Sequence, residues 1–209
     1  CAITIIPVAA PQLIAQYNHS IDSGDVGIFV SQSGETKDVL NAVEVARKQG
    51  MRIFSLVNVV GSTLTKLSEE WLPLACGYEI SVPATKTFTN QLVGFLYLAY
   101  RVSNRDLHEL DHLSEFLQDT IRDTNQQVIE ILPHLVDWND LYSLGYGITL
   151  PIALEAALKL KEITYAHCEG MLSTEFKHGP LAAVTKDFPV IFSTIREDIP
   201  IFISGINEV

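Results

Sequence analysis

Three cysteines in 209 residues, Cys1, Cys76 and Cys168, fall at no regular spacing and cannot build a disulfide framework. Basic clusters are missing as well. With 14 Lys and Arg against 25 Asp and Glu the formal charge is −11, and no cationic stripe exists that could track a nucleic-acid backbone. Nor does any apolar run approach the roughly 20 residues of a membrane-spanning helix. The longest lipid-like stretch, Leu92–Tyr100, reads as part of a buried helix. The first residues lack the charged start and small-residue cleavage site of a signal peptide, so a reducing cytoplasm is the expected compartment. Cys1 opens an apolar run with neither a base nor an oxyanion hole nearby, and reads as a consequence of where the chain begins rather than as an N-terminal nucleophile.

Low-complexity tracts and Gly/Pro-rich linkers are absent too. A chain 47% hydrophobic and 19% charged is a folded globular protein with one substantial core or two small ones. Val26–Val30 is a compact apolar run that stops at Ser31-Gln-Ser-Gly-Glu-Thr36. Val39, Leu40, Val43 and Ala46 then repeat at helical spacing as far as Gly50. Arg52–Val57 reads as a second strand, Ser62–Glu70 as a short helix capped by Ser62, Leu72–Ala75 as a short strand, and Lys86–Val102 as a long helix. Strands alternating with helices imply a parallel sheet covered on both faces.

From Ser103 to about Asp137 charged and amide residues rise, and Leu107, Leu110, Leu113, Leu117, Ile121, Val128, Ile131 and Leu135 mark one stripe of two helices. A second α/β cycle follows: a strand at Leu141–Leu144, helices from Pro151 to about His167 and from Leu172 to Val184, and a strand at Phe188–Ser193. The expected organisation is a first α/β unit over 1–103, a helical connector over 104–137 and a second unit over 138–209.

Four segments invite a chemical reading. Ser31–Thr36 places three hydroxyls, an amide and a glycine at a helix N-terminus, where free N–H groups and the helix dipole favour a phosphate dianion. The alternative is an ordinary Ser/Thr cap; the spacing is not that of a nucleotide P-loop. On the helix Ile152–Tyr165, apolar around most of its circumference and so expected to be buried, Glu155, Lys159 and Glu162 share one face. They form either a proton-handling cluster or a surface ion-pair ladder. His178, in Lys177-His-Gly-Pro180, is placed to serve as a general acid or base, or is simply solvated. His108-Glu-Leu-Asp-His112 matches the zinc pattern H-E-x-x-H but sits in the polar connector without a third ligand, and is read as a solvated helix face rather than a metal site.

Together, Ser31–Thr36, Glu79-Ile-Ser-Val82 with Thr85-Lys-Thr-Phe-Thr89, Leu154–Tyr165, and Glu175-Phe-Lys-His-Gly-Pro-Leu181 resemble, in order and separation, the isomerase half of glucosamine-6-phosphate synthase (glutamine–fructose-6-phosphate aminotransferase). The resemblance runs from about Val26 to about Ser193. It implies two sugar isomerase (SIS) units, each a flavodoxin-like parallel sheet flanked by helices and here cut short, working as a homodimer with both subunits at each site. Ser31, Gln32, Ser33 and Thr36 are then expected to hold the 6-phosphate of fructose 6-phosphate or glucosamine 6-phosphate, and Val82 to line the sugar through its backbone. Glu162 matches the base that moves a proton between C1 and C2, His178 the ring-opening histidine from the partner subunit, and Glu155 and Lys159 the charged groups beside the reacting carbons. No cofactor or metal is implied, and neither nucleic acid nor membrane is an expected partner. The family's glutaminase domain and C-terminal lysine tail lie outside this sequence, so turnover by the chain alone is not expected. Two related readings keep the same loop: a stand-alone phosphosugar isomerase or deaminase, and a non-catalytic sugar-phosphate sensor, which needs neither Glu162 nor His178.

Overall fold

A computed structural model describes residues 3–134 and 138–209; Cys1 and Leu135, both singled out above, lie outside the described residues. The chain divides into two compact units, one up to Glu115 and one from Phe116 onward.

In the first unit a short turn, α1 (Ala10–Gln12), runs into a π-helical stretch, Leu13–Tyr17, and then into strand β1 (Val26–Ser31). Helix α2 (Lys37–Lys48), strand β2 (Arg52–Val57), helix α3 (Thr63–Leu67), strand β3 (Glu70–Pro73) and helix α4 (Lys86–Ser103) follow. The sheet order is β1-β2-β3, parallel throughout, with Val26 opposite Arg52 and Phe54 opposite Glu70. Its core joins Phe29, Ile53 and Val57 of the strands to Ala42, Val43 and Ala46 of α2. Val43 and Ala46 belong to the stripe expected from the sequence, Ala42 joins them, and Val39 and Leu40 pack against this core half-buried.

In the second unit helix α5 (Leu113–Ile131) leads to strand β4 (Asp140–Gly145), helix α6 (Leu150–Thr164), strand β5 (His167–Leu172), strand β6 (Val190–Ser193) and helix α7 (Ile199–Ile206). The parallel order is β5-β4-β6. Alternation along the central strand builds two cores. Leu141 points to Ala157 and Cys168, whereas Tyr142 and Leu144 point to Phe176 on the other face.

Several expectations need correction. Helix α6 stops at Thr164 because Tyr165 takes a left-handed conformation, φ 61°, and His167 opens a strand that the sequence reading missed. The helix expected over Leu172–Val184 is instead two 3₁₀ turns, Phe176–His178 and Pro180–Ala183. Gly179 at φ 144° and the absent N–H of Pro180 separate them. Strand β3 begins two residues earlier than expected, and α7 was not foreseen. The two connector helices prove to be a 3₁₀ turn, Leu107–Leu110, and α5. The stripe on α5 is not buried: Leu117, Ile121, Val128 and Ile131 are all exposed. Likewise α4 and α6 are not the buried helices that their composition suggests, since Leu92, Phe95 and Leu96 of α4 and Ile152, Leu154, Leu158 and Ile163 of α6 are exposed.

Candidate functional site

Because every strand of the first sheet runs the same way, the segments after β1, β2 and β3 emerge at one end, the carboxyl end where α/β folds collect ligands. Three of the four expected phosphate-holding residues, Ser31, Ser33 and Thr36, are tied to one another or to the turn between them. The buried Ser31 hydroxyl accepts the Gly34 N–H at 3.0 Å and lies 3.0 Å from the Thr36 hydroxyl. Ser33 Oγ accepts the Glu35 N–H at 3.1 Å. Gln32 is held through its carbonyl, which accepts the N–H groups of Asn58 (3.2 Å) and Val59 (3.3 Å). Thr36 occupies the N-cap of α2 without a side-chain capping bond, so the loop is not the plain Ser/Thr cap weighed above.

Gly34 is required here. Its φ is 69°, and a Cβ at this position would fall 2.1 Å from Ser62 Oγ. The neighbouring α3 completes the support, and it corrects a further expectation. Ser62 stands at the N-cap of α3, but its hydroxyl is buried and makes no hydrogen bond. The Thr63 N–H is instead received by Glu35 Oε1 at 2.7 Å, and the Leu64 N–H by the Gly34 carbonyl at 3.0 Å. Hydrogen bonds from the N–H and hydroxyl of Thr63 hold the Glu35 carboxyl below its ordinary range; burial opposes them, and the charge of Lys66 adds to them. Sequence reasoning passed over Glu35 and Asn58. The signal for Asn58 was a polar residue placed directly after the buried run Leu56-Val57.

Val82 lies in the long segment between β3 and α4, and is 91% exposed. That segment is anchored at Glu79, whose Oε2 accepts both the N–H (3.0 Å) and the hydroxyl (2.9 Å) of the fully buried Thr87.

In the second unit α6 is positioned by Gly145, where a Cβ would fall 2.5 Å from the Thr149 carbonyl and 2.7 Å from Leu150 Cα, so the strand passes directly under the helix start. The face carrying Glu155, Lys159 and Glu162 is closely knit. Lys159 Nζ is 2.5 Å from Glu162 Oε2 and 3.6 Å from Glu155 Oε1, with all three side chains about a fifth to a quarter exposed (19%, 27% and 24%). Burial alone pulls the Lys159 ammonium toward neutrality, but the hydrogen bond to Glu162 and the charges of both carboxylates outweigh it, and its pKa is raised. A surface ladder on a polar helix would be more open to solvent than this.

His178 is exposed at the end of a 3₁₀ turn whose Phe176 is fully buried. In chain order Glu162, near the end of α6, comes before β5, and His178 comes after it. His108 and His112 do not converge; their Nδ1 atoms pair with Asp111 (2.9 Å) and Glu115 (3.2 Å) respectively.

The profile of the SIS domain family matches residues 3–101 and 134–199, most of the chain. The glutamine–fructose-6-phosphate aminotransferases [isomerizing] of Pyrobaculum aerophilum and Sulfurisphaera tokodaii are 42% and 38% identical over 91% and 90% of the chain. The chain spans only about a third (33% and 32%) of those relatives. Among solved structures, the C-terminal domain of glucosamine-fructose-6-phosphate aminotransferase from Francisella tularensis superposes with a TM-score of 0.77 at 32% identity, covering 88% of this chain and 55% of that one. Glucosamine-6-phosphate deaminase from Thermotoga maritima superposes at 0.81 over 95% of this chain and 62% of that one, but at 22% identity, which shows the shared fold alone. No helix among the described residues is long and apolar enough to cross a membrane. The chain belongs to the SIS domain family.

Proposed function

We propose that the chain is the sugar-phosphate isomerase portion of a glucosamine 6-phosphate-forming amidotransferase, acting on fructose 6-phosphate and built as two SIS units. The observation that carries the reading is the tied hydroxyl loop Ser31–Thr36 at the carboxyl end of β1, with its free helix N–H groups behind it. In this reading Ser31, Gln32, Ser33 and Thr36 hold the phosphate, fixing the remote end of the sugar so that C1 and C2 are placed once and not searched for. Val82 lines the sugar through its main chain.

The sugar is mostly a closed ring, so a proton donor and acceptor must open it before its carbonyl can react; His178 has this role. Ammonia adds to the C2 carbonyl with loss of water to give an imine, and Glu162 then moves a proton from C1 to C2, which converts the imine to the 2-amino aldose. Lys159, bound to Glu162 and beside Glu155, orients the Glu162 carboxylate and supplies positive charge near developing oxyanions. The resemblance of Glu175–Leu181 supports a histidine supplied by a second copy, and hence a homodimer. The cytoplasm is the proposed compartment.

Calorimetric titration of the folded chain with fructose 6-phosphate tests the assignment. Wild type should bind, Ser33→Ala should weaken binding about tenfold, as expected for a hydrogen bond to a charged group, and Glu162→Gln should bind as wild type does. In the full-length protein Glu162→Gln should abolish isomerisation while leaving KM nearly unchanged. Failure of the folded wild-type chain to bind the sugar phosphate would refute the reading.

A further inference from the structure

The segment Cys76–Thr85 is not packed into the body of its unit. Tyr78, Ile80 and Val82 are 91%, 95% and 91% exposed, so burial does not set its shape. Side chains at its two ends do. Asn58, the first residue beyond β2, grips the entry: its Nδ2 donates to the Gly77 carbonyl at 2.7 Å, and its Oδ1 accepts from the Cys76 N–H at 3.1 Å and the Cys76 thiol at 3.0 Å. Gly77 has a φ of 69° at that point. Through its main chain the same residue donates to the Gln32 carbonyl at 3.2 Å. Asn58 therefore joins the loop after β1 to the loop after β3. Glu79 fixes the second point, since its carboxylate receives the N–H and the hydroxyl of Thr87 in the first turn of α4. Those bonds, the Thr87 N–H foremost, hold its pKa low, so it is ionised at neutral pH.

We propose that Asn58 and Glu79 are positioning residues that hold the Cys76–Thr85 segment at a set distance from the Ser31–Thr36 loop, so that recognition of the carbon skeleton is registered to recognition of the phosphate. This rests on the functional reading above. An exposed segment recognising sugar hydroxyls through its main chain must already be in place to within about half an ångström, or binding pays for ordering it. Releasing either grip leaves the phosphate loop intact, because the bonds that tie it come from Ser31, Glu35, Leu64 and the main chain of Asn58. The two grips therefore act on sugar affinity and not on phosphate affinity.

The test compares two ligands on the same folded chain, fructose 6-phosphate by calorimetry and inorganic phosphate by ³¹P NMR. Asn58→Ala removes one grip. Thr87→Val removes the hydroxyl donor to Glu79 at nearly constant volume, and Thr87→Ser keeps it. Asn58→Ala and Thr87→Val should each lose about tenfold in affinity for the sugar phosphate with inorganic phosphate unchanged, and Thr87→Ser should retain wild-type affinity for both. A general loss of structure would weaken both ligands by the same factor, and that result overturns the inference. So does an unchanged sugar affinity in both Asn58→Ala and Thr87→Val, which leaves the functional reading standing. If wild type binds neither ligand, the functional reading itself fails and the positioning role falls with it.

Discussion

Replacing Gly34 by alanine tests the geometry of the phosphate loop without any ligand. Two costs add. A left-handed φ of 69° costs an L-residue about 1–2 kcal/mol. The new methyl would also stand 2.1 Å from Ser62 Oγ, 2.6 Å from Ser62 Cβ and 3.0 Å from Val57 Cγ2, and overpacking of this kind costs about 1–3 kcal/mol. Neither Ser62 nor Val57 can swing aside freely, because both are buried, at 5% and 0% exposure. The expected loss for Gly34→Ala is therefore about 2–5 kcal/mol. Ser62→Gly removes both of the nearest atoms and sacrifices no hydrogen bond, so the double variant Gly34→Ala, Ser62→Gly should regain the steric part and keep only the backbone part. The two tryptophans make the assay specific: Trp71 lies in β3 of the first unit and Trp138 in the second. Urea unfolding followed by Trp71 fluorescence in a Trp138→Phe background reports the first unit alone, at an unchanged m-value if only stability moves. A loss below about 1 kcal/mol for Gly34→Ala, or a double variant no more stable than the single one, would refute the packing described for this loop.

Other consequences follow from the same contacts. Glu35 and Glu79 both have lowered pKa values in the folded state, so the stability they contribute is present in full above the ordinary carboxylate value of about 4.3 and is lost as pH falls through the lower folded values. The urea midpoint reported by Trp71 should therefore drop below about pH 4.3, and less steeply in Glu35→Gln; an equal slope in the two proteins would remove Glu35 from the account. Burial pushes the Cys168 thiol up to about 11, and the residue is fully buried, so at pH 8 roughly one such thiol in a thousand is ionised. Alkylation with peptide mapping should find Cys76 modified in the native protein and Cys168 only after unfolding. Phe176→Ala should cost about 3–5 kcal/mol in a Trp138-monitored titration, because the ring packs edge-on against Tyr142 at 5.3 Å within the core beneath the turn that carries His178.

Strands β1 and β2 and helix α2 were legible to within a residue or two because one physical signal sufficed for each: a continuous apolar run for a strand, although Val26 and Ile28 leave β1 uncovered on one face, and a single apolar stripe for a helix. The same signal misled on α4 and α6, where apolar composition was taken for burial. In the folded chain many of these side chains remain exposed. The missed strand β5, His-Cys-Glu-Gly-Met-Leu, has no apolar run; it is set by pairing along β4, with Leu141 opposite Cys168 and Ser143 opposite Gly170. Gly170 permits this, since a Cβ there would fall 2.9 Å from Leu154 Cα of the covering helix. Tertiary approach, not local preference, made that segment a strand.

The site divides in a comparable way. Residues proposed to meet a ligand were chosen by their chemistry: hydroxyls before a helix, and a carboxylate–lysine–carboxylate face. The residues that hold them in place were not, because Glu35, Asn58 and Glu79 act on backbone groups brought near by the fold: Thr63 of α3, Cys76 and Gly77 after β3, and Thr87 of α4. A carboxylate that receives a helix N–H looks in sequence like any other surface acid. Only the partner distinguishes it, and in all three cases the partner is supplied by a different element of the sheet's carboxyl end. That dependence makes the loops of the first unit one connected layer. A change in Glu35 therefore acts on the loop after β1, and a change in the side chain of Asn58 or Glu79 on the segment after β3.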